Sequence, residues 1–88
     1  MQFFVYILYS EKFNKTYVGL TNNLNRRLKE HNNASNKSTK AYIPWKIIYT
    51  ESLPDRVSAR KREKYFKNGS GREYIRARLS EWLRSSAE

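Results

Sequence analysis

Five side chains in this chain of 88 residues combine a type that does chemistry with a position that could form a site: Tyr6, Tyr17, Arg27, His31 and Glu63. A phenol gives or accepts a proton, and an imidazole does either near neutrality. A guanidinium neutralises an anion, and a carboxylate holds a hard cation. Tyr6 lies in FFVYILYS and Tyr17 in TYVGL; Arg27 and His31 lie in TNNLNRRLKEH, directly after the second tyrosine. Glu63 stands far downstream in RKREKYF. Each has a structural alternative. The tyrosines could be core residues with satisfied hydroxyls, and Arg27 a surface cation. Glu63 could pair with Lys67 at i+4 or Arg60 at i−3, and His31 could be a cation suited to a helix C-terminus.

The elements that carry these residues are readable from periodicity. Phe3, Val5, Ile7 and Tyr9 alternate with Phe4, Tyr6, Leu8 and Ser10, and nearly every position is apolar or aromatic, as in a strand covered on both faces. Glu11 to Lys15 is a polar connection in which Asn14 suits a positive φ, so Thr16 to Leu20 is expected to return as the second strand of a hairpin. Gly19 in that strand marks either a bulge or a close approach to the backbone. Thr21 or Asn22 can cap a helix on which positions 24, 27, 28 and 31 share one face, turning Arg27 and His31 toward the hairpin and Arg26 to solvent. Residues 32–42 read as a polar loop long enough to be mobile or functional. Trp45 to Thr50 is expected as a third strand. Pro54 and Asp55 suit the first turn of a helix to about Asn68, with Ala59, Arg62, Glu63 and Phe66 on one face. Asn68-Gly69-Ser70-Gly71 is expected to break it before a last helix from Arg72 to Arg84, which buries Ile75, Leu79, Trp82 and Leu83. The expected fold class is therefore α+β, a small three-stranded, mainly antiparallel sheet flanked by helices in the order ββαβαα. Residues 1–84 form one domain in this reading, and 85–88 a frayed tail.

Composition narrows the partners. Lys+Arg 18 against Asp+Glu 8 leaves a net charge of +10, which favours a polyanion, nucleic acid before membrane. The absence of Cys removes disulfides, thiol nucleophiles and cysteine zinc sites, and with one His no zinc centre can be assembled. The apolar run Phe3–Tyr9 is too short to span a bilayer and no basic segment precedes it, so a cytosolic protein with no membrane role is expected.

Taken together, Phe4-Val5-Tyr6, Tyr17-Val18-Gly19, Arg27, His31 and Arg62-Glu63-Lys64 resemble the GIY-YIG nuclease superfamily over roughly residues 3 to 80. The likeness is to its small single-domain members, which are similar to the N-terminal catalytic domain of the UvrC repair nuclease. The resemblance implies the same ββαβαα fold and metal-dependent hydrolysis of a DNA phosphodiester. It implies Tyr17 as the general base toward water, and Tyr6 as a hydrogen-bonding group near the scissile phosphate. It implies Arg27 as the stabiliser of phosphate charge and Glu63 as the ligand of a single Mg²⁺ or Mn²⁺. His31 occupies a position where members carry His or Tyr beside the phosphate. Three positions depart from the pattern. Phe4 stands where the first motif usually has Gly, Leu20 where some members have Lys, and Asn68 is the only Asn near the segment that follows the glutamate.

Phosphodiester hydrolysis needs an oriented nucleophile, charge neutralisation at the phosphate and help for the leaving oxygen. A tyrosine near pKa 10 becomes a useful base only beside cations such as Arg27 and the metal. Arg26, Lys37, Lys40, Lys61, Lys64, Arg72 and Arg76 are expected to meet phosphates outside the site, where they carry no sequence information. The expected function is therefore a structure-specific DNA endonuclease of repair or recombination, acting on nicked, branched or damaged DNA. A non-catalytic nucleic-acid-binding module, or a subunit that depends on a protein partner to position DNA, is the alternative.

Overall fold

The computed structural model describes residues 2–86. Strand β1 (Phe3–Ser10) pairs antiparallel with β2 (Lys15–Thr21) through a turn in which Asn14 takes φ 52°. The Asn14 side chain accepts a hydrogen bond from the Tyr9 hydroxyl at 2.9 Å, which fixes the turn against the sheet. Helix α1 (Leu24–Asn32) follows at once, and Asn23 caps it by accepting from the Arg26 amide. The cap expected at Thr21 or Asn22 thus falls one residue later, while the Thr21 hydroxyl accepts from the Asn23 amide.

Strand β3 (Lys46–Leu53) pairs antiparallel with the other edge of β1, giving the order β2-β1-β3. It starts one residue later and runs three residues further than expected, because Glu51 is neutralised by Arg62 of helix α2 (Arg56–Lys67). The register shifts between Ile7 and Leu8, which pair with Tyr49 and Ile47. This irregularity lets the consecutive residues Ile48 and Tyr49 both pack on the α2 side.

Asp55, rather than lying in the first turn, caps α2 from outside it by accepting from the Ser58 amide at 2.8 Å. Helix α3 (Gly69–Ser86) begins directly after Asn68, so the expected four-residue break is a single residue. The Asn68 side chain caps the new helix at the Gly71 amide. A Cβ on Gly71 would stand 2.0 Å from the Tyr65 carbonyl oxygen, so the two helices turn tightly only because that position lacks a side chain. Helix α3 includes Ser85 and Ser86 of the expected tail; Ala87 and Glu88 lie outside the described residues.

The sheet is covered on both faces, as the continuous apolar character of β1 requires. Val5, Ile7, Val18, Ala59, Phe66 and Ile75 form the core beneath α2 and α3. Tyr6, Leu8 and Trp45 form a second cluster with Tyr17, Leu24 and Leu28 on the α1 side. Trp82 of α3 stacks on Tyr49 at 4.5 Å and closes the first core. The segment 32–42 is pinned. Asn32 exchanges two hydrogen bonds with the Trp45 backbone, the Trp45 indole donates to the Thr39 carbonyl, and Thr39 is fully buried. Among the described residues no helix is long and apolar enough to cross a membrane.

Candidate active site

The two tyrosines reach one place because β2 is an edge strand and lacks a side chain opposite Tyr6. Tyr6 pairs across the hairpin with Gly19, and its ring lies directly over that residue. A Cβ at Gly19 would come within 2.3 Å of the Tyr6 hydroxyl. The glycine therefore marks a close approach, and no bulge occurs there. Tyr6 and Tyr17, two residues before Gly19, face the α1 side together.

His31 is the hub of that side. It is fully buried, its Nε2 lies 2.8 Å from the Tyr6 hydroxyl and its Nδ1 lies 2.8 Å from the Thr39 hydroxyl. The Thr39 hydroxyl points its hydrogen at the Asn36 carbonyl, at 3.5 Å. It therefore accepts from Nδ1–H of His31, and Nε2 is left to accept the Tyr6 proton. Burial, with the Arg27 charge adding to it, holds the His31 pKa below its ordinary value, which agrees with a neutral ring. His31 is thus no exposed helix-end cation. Its ring also meets the Tyr17 ring edge-on at 5.2 Å, and so fixes both phenols.

Burial pushes the Tyr6 phenol up to about 12, with the Arg27 guanidinium pulling the other way and Tyr17 and Glu63 adding a little. Arg27, Tyr17 and Glu63 thus act electrostatically on the Tyr6 hydroxyl. Tyr6 remains protonated at neutral pH. It donates to His31 and leaves its oxygen lone pairs to accept from a neighbour.

The two charged members are already engaged. Arg27 bonds Glu30 on its own helix at 2.8 Å, and this pairing raises the guanidinium further against the lowering effect of burial. Glu63 is 7% exposed; its Oε1 accepts from Arg60 at 3.0 Å and its Oε2 from Lys67 at 3.2 Å. Both ion pairs open to it from spacing alone are formed. The Lys67 ammonium also stands 5.5 Å from the centre of the Tyr17 ring, so it links the carboxylate to the second tyrosine. Among the described residues no three metal-ligating side chains converge, so Glu63 is not part of a built three-ligand cage. One carboxylate fits a hard cation that keeps most of its waters, as Mg²⁺ does, and does not fit zinc.

Open clefts flank the cluster. One, of about 420 Å³, is lined by Arg26, Arg27, Arg56 and Arg60 from α1 and α2, with Glu30 its one acidic residue. On the other side Tyr17, Lys67 and Arg72 line a small cleft of about 240 Å³. It shares Thr16, Arg72 and Ile75 with a groove that also carries Arg76. Arg26, Arg72 and Arg76 thus lie beside the site, and Lys61 and Lys64 line a shallow hollow on the outer face of α2 with Arg56 and Arg60. Lys37 and Lys40 are exposed on the 32–42 segment and line none of these clefts. Arg56, Arg60, Lys67 and Thr39 were not among the sequence candidates. Arg60 and Lys67 had a signal in their spacing from Glu63, and Thr39 had none. Leu20 leaves its strand position without a cation, and Asn68 is occupied as a cap.

Residues 2–76 match the family described as the GIY-YIG catalytic domain. A UPF0213 protein of Clostridium perfringens, CPE1444, is 42% identical over 65 residues, 73% of this chain and 69% of that protein. The UPF0213 protein YazA of Bacillus subtilis is 40% identical over 57 residues, 64% of this chain. That match spans 58% of YazA, and a UPF0213 protein of Bacillus licheniformis is matched over 54% of its length. The solution structure of the UPF0213 protein BH0048 from Bacillus halodurans superposes with a TM-score of 0.53 at 28% identity, covering 88% of this chain and 82% of that one. The fold, the match over most of its length and these relatives make the chain a member of the GIY-YIG catalytic domain family, a nuclease family.

Proposed function

We propose that this chain is a metal-dependent endonuclease that hydrolyses phosphodiester bonds in nicked, branched or damaged DNA during repair or recombination. One observation carries the reading: the Tyr6 ring crosses Gly19 and its hydroxyl meets His31, whose ring also contacts Tyr17, while Lys67 joins Tyr17 to Glu63 and Arg27 lines the adjoining arginine-rich cleft.

In this reading the scissile phosphate sits at the cluster and the DNA backbone runs into the clefts on either side. Arg27 exchanges Glu30 for the phosphate and neutralises the charge that grows on it. Tyr17, half-buried at the edge strand, takes the proton of the attacking water as the phenolate and becomes a neutral phenol. Tyr6 stays neutral, and its oxygen accepts the other hydrogen of the water, aiming it at the phosphate while His31 holds the ring. Glu63 would hold the Mg²⁺ or Mn²⁺ ion, which when bound supplies charge neutralisation at the phosphate and the leaving oxygen. Exposed Lys61, Lys64, Arg72 and Arg76, with Lys37 and Lys40, contact phosphates more distantly and without regard to sequence.

The test is incubation with nicked, flapped and branched DNA in Mg²⁺ or Mn²⁺, with EDTA and Glu63→Ala as controls. Metal-dependent cutting that disappears in Glu63→Ala is the expected result. Salt-sensitive binding without cutting would replace this reading with a binding module. The ion pairs that close over Glu63 and Arg27 favour one further reading, a subunit whose site opens only on DNA that a protein partner positions.

A further inference from the structure

We infer that Lys67 is the resident cation of the Glu63 site: its ammonium holds the carboxylate oxygen that a divalent metal takes, and it yields that place when the metal binds. The inference rests on the reading of Glu63 as a metal ligand.

Glu63 is too buried to stand unpaired, and each of its oxygens has its own cation. The two cations differ in ways that decide which one leaves. Arg60 approaches Oε1 from the cleft that contains Arg27, with a planar guanidinium suited to holding a carboxylate in one orientation. Lys67 approaches Oε2 from the cleft that contains Tyr17. Its charge is a compact point on a flexible stem; exposure does not separate the two, at 47% for Lys67 and 61% for Arg60, and the difference lies in the headgroups. Lys67 can swing out at little cost.

A divalent cation on Oε2 would sit within a few ångströms of that ammonium, and the two repel at that range. They exclude each other. Arg60 continues to orient the carboxylate from Oε1 throughout. In the metal-free protein Lys67 completes the compensation of Glu63 and packs over the Tyr17 ring, so the pocket is formed before the metal arrives. Once released, its ammonium remains in the cleft with Tyr17 and Arg72, on the path of the substrate backbone. Lys67 is on this account a positioning residue that sets the affinity of the site for metal.

Binding of Mn²⁺ alone to the DNA-free protein, followed by the electron paramagnetic resonance of free Mn²⁺, tests this without reference to cleavage. Lys67→Met and Lys67→Gln should each bind Mn²⁺ about three- to tenfold more tightly than the parent, since the competing pair and its repulsion are both removed. Lys67→Arg keeps the charge and should stay near the parent. Glu63→Gln should lose the site. If Glu63→Gln loses binding while both neutral Lys67 variants bind like the parent, Lys67 does not compete and the inference is overturned with the Glu63 reading intact. If Glu63→Gln binds Mn²⁺ like the parent, the Glu63 assignment fails and the inference falls with it.

Discussion

His31 shows how one side chain ties the core to the chemistry. Its ring is neutral when folded because its pKa is held below the ordinary 6.5 by burial and by Arg27. The unfolded chain takes up that proton first as pH falls. The stability His31 contributes is therefore present above pH 6.5 and is lost as pH falls below it toward the folded value. Urea midpoints measured downward from pH 8 should fall in that window before the carboxylates titrate, and His31→Gln should flatten the decline. Gly19 makes a second residue-scale case. Gly19→Ala drives a Cβ into the buried Tyr6 phenol and should cost about 1–3 kcal/mol, measured by denaturation. The placement of the candidate residues was largely legible at this scale. Helix phase turned Arg27, His31 and Glu63 inward, and the hairpin brought Tyr6 and Tyr17 to one face. Thr39 was not legible, because its contact depends on how residues 32–42 fold back over α1, and polar spacing carries no record of that path.

Among the elements, the corner between α2 and α3 is the most informative. The Asn68-Gly69-Ser70-Gly71 stretch looks like a break because glycine and serine are poor helix interiors, yet a single residue suffices. Asn68 caps α3, and Gly71 is buried against the Tyr65 and Phe66 backbone, so each has a local task that composition alone cannot assign. Asn68→Ala should lower stability by about 0.5–2 kcal/mol through the lost cap, seen as a lower thermal midpoint with unchanged helical content. Strand β3 was underread for a related reason. Glu51 and Ser52 look like a loop until Arg62 arrives with two hydrogen bonds, at 2.7 and 2.9 Å, and the Tyr49 hydroxyl donates a third at 2.6 Å. Tertiary pairing, invisible in a local window, extends the strand.

For the whole molecule, the net charge of +10 becomes meaningful only once the clefts are located. Arginines from α1 and α2 line one side of the cluster, and Lys67, Arg72 and Arg76 line the other. DNA affinity should therefore fall steeply with salt, and Arg72→Gln with Arg76→Gln should reduce the logarithmic salt slope by about 2, one for each lost phosphate contact. The same pair should weaken binding equally across DNA sequences. The sequence supported the overall order of elements well, since both faces of β1 and the stripes of α1 and α2 are strongly patterned. It did not reveal that the edge strand is the place where site and clefts meet.

That meeting point is best tested by single-turnover cleavage of a metal-loaded, structured DNA complex, comparing the parent with Tyr17→Phe, Glu63→Gln and the double variant. Each single substitution should slow cutting by about 10²-fold or more while circular dichroism remains unchanged, and the double should be little slower than the worse single, as residues acting in one site behave. Correctly folded single variants that cut at the parental rate would contradict the account.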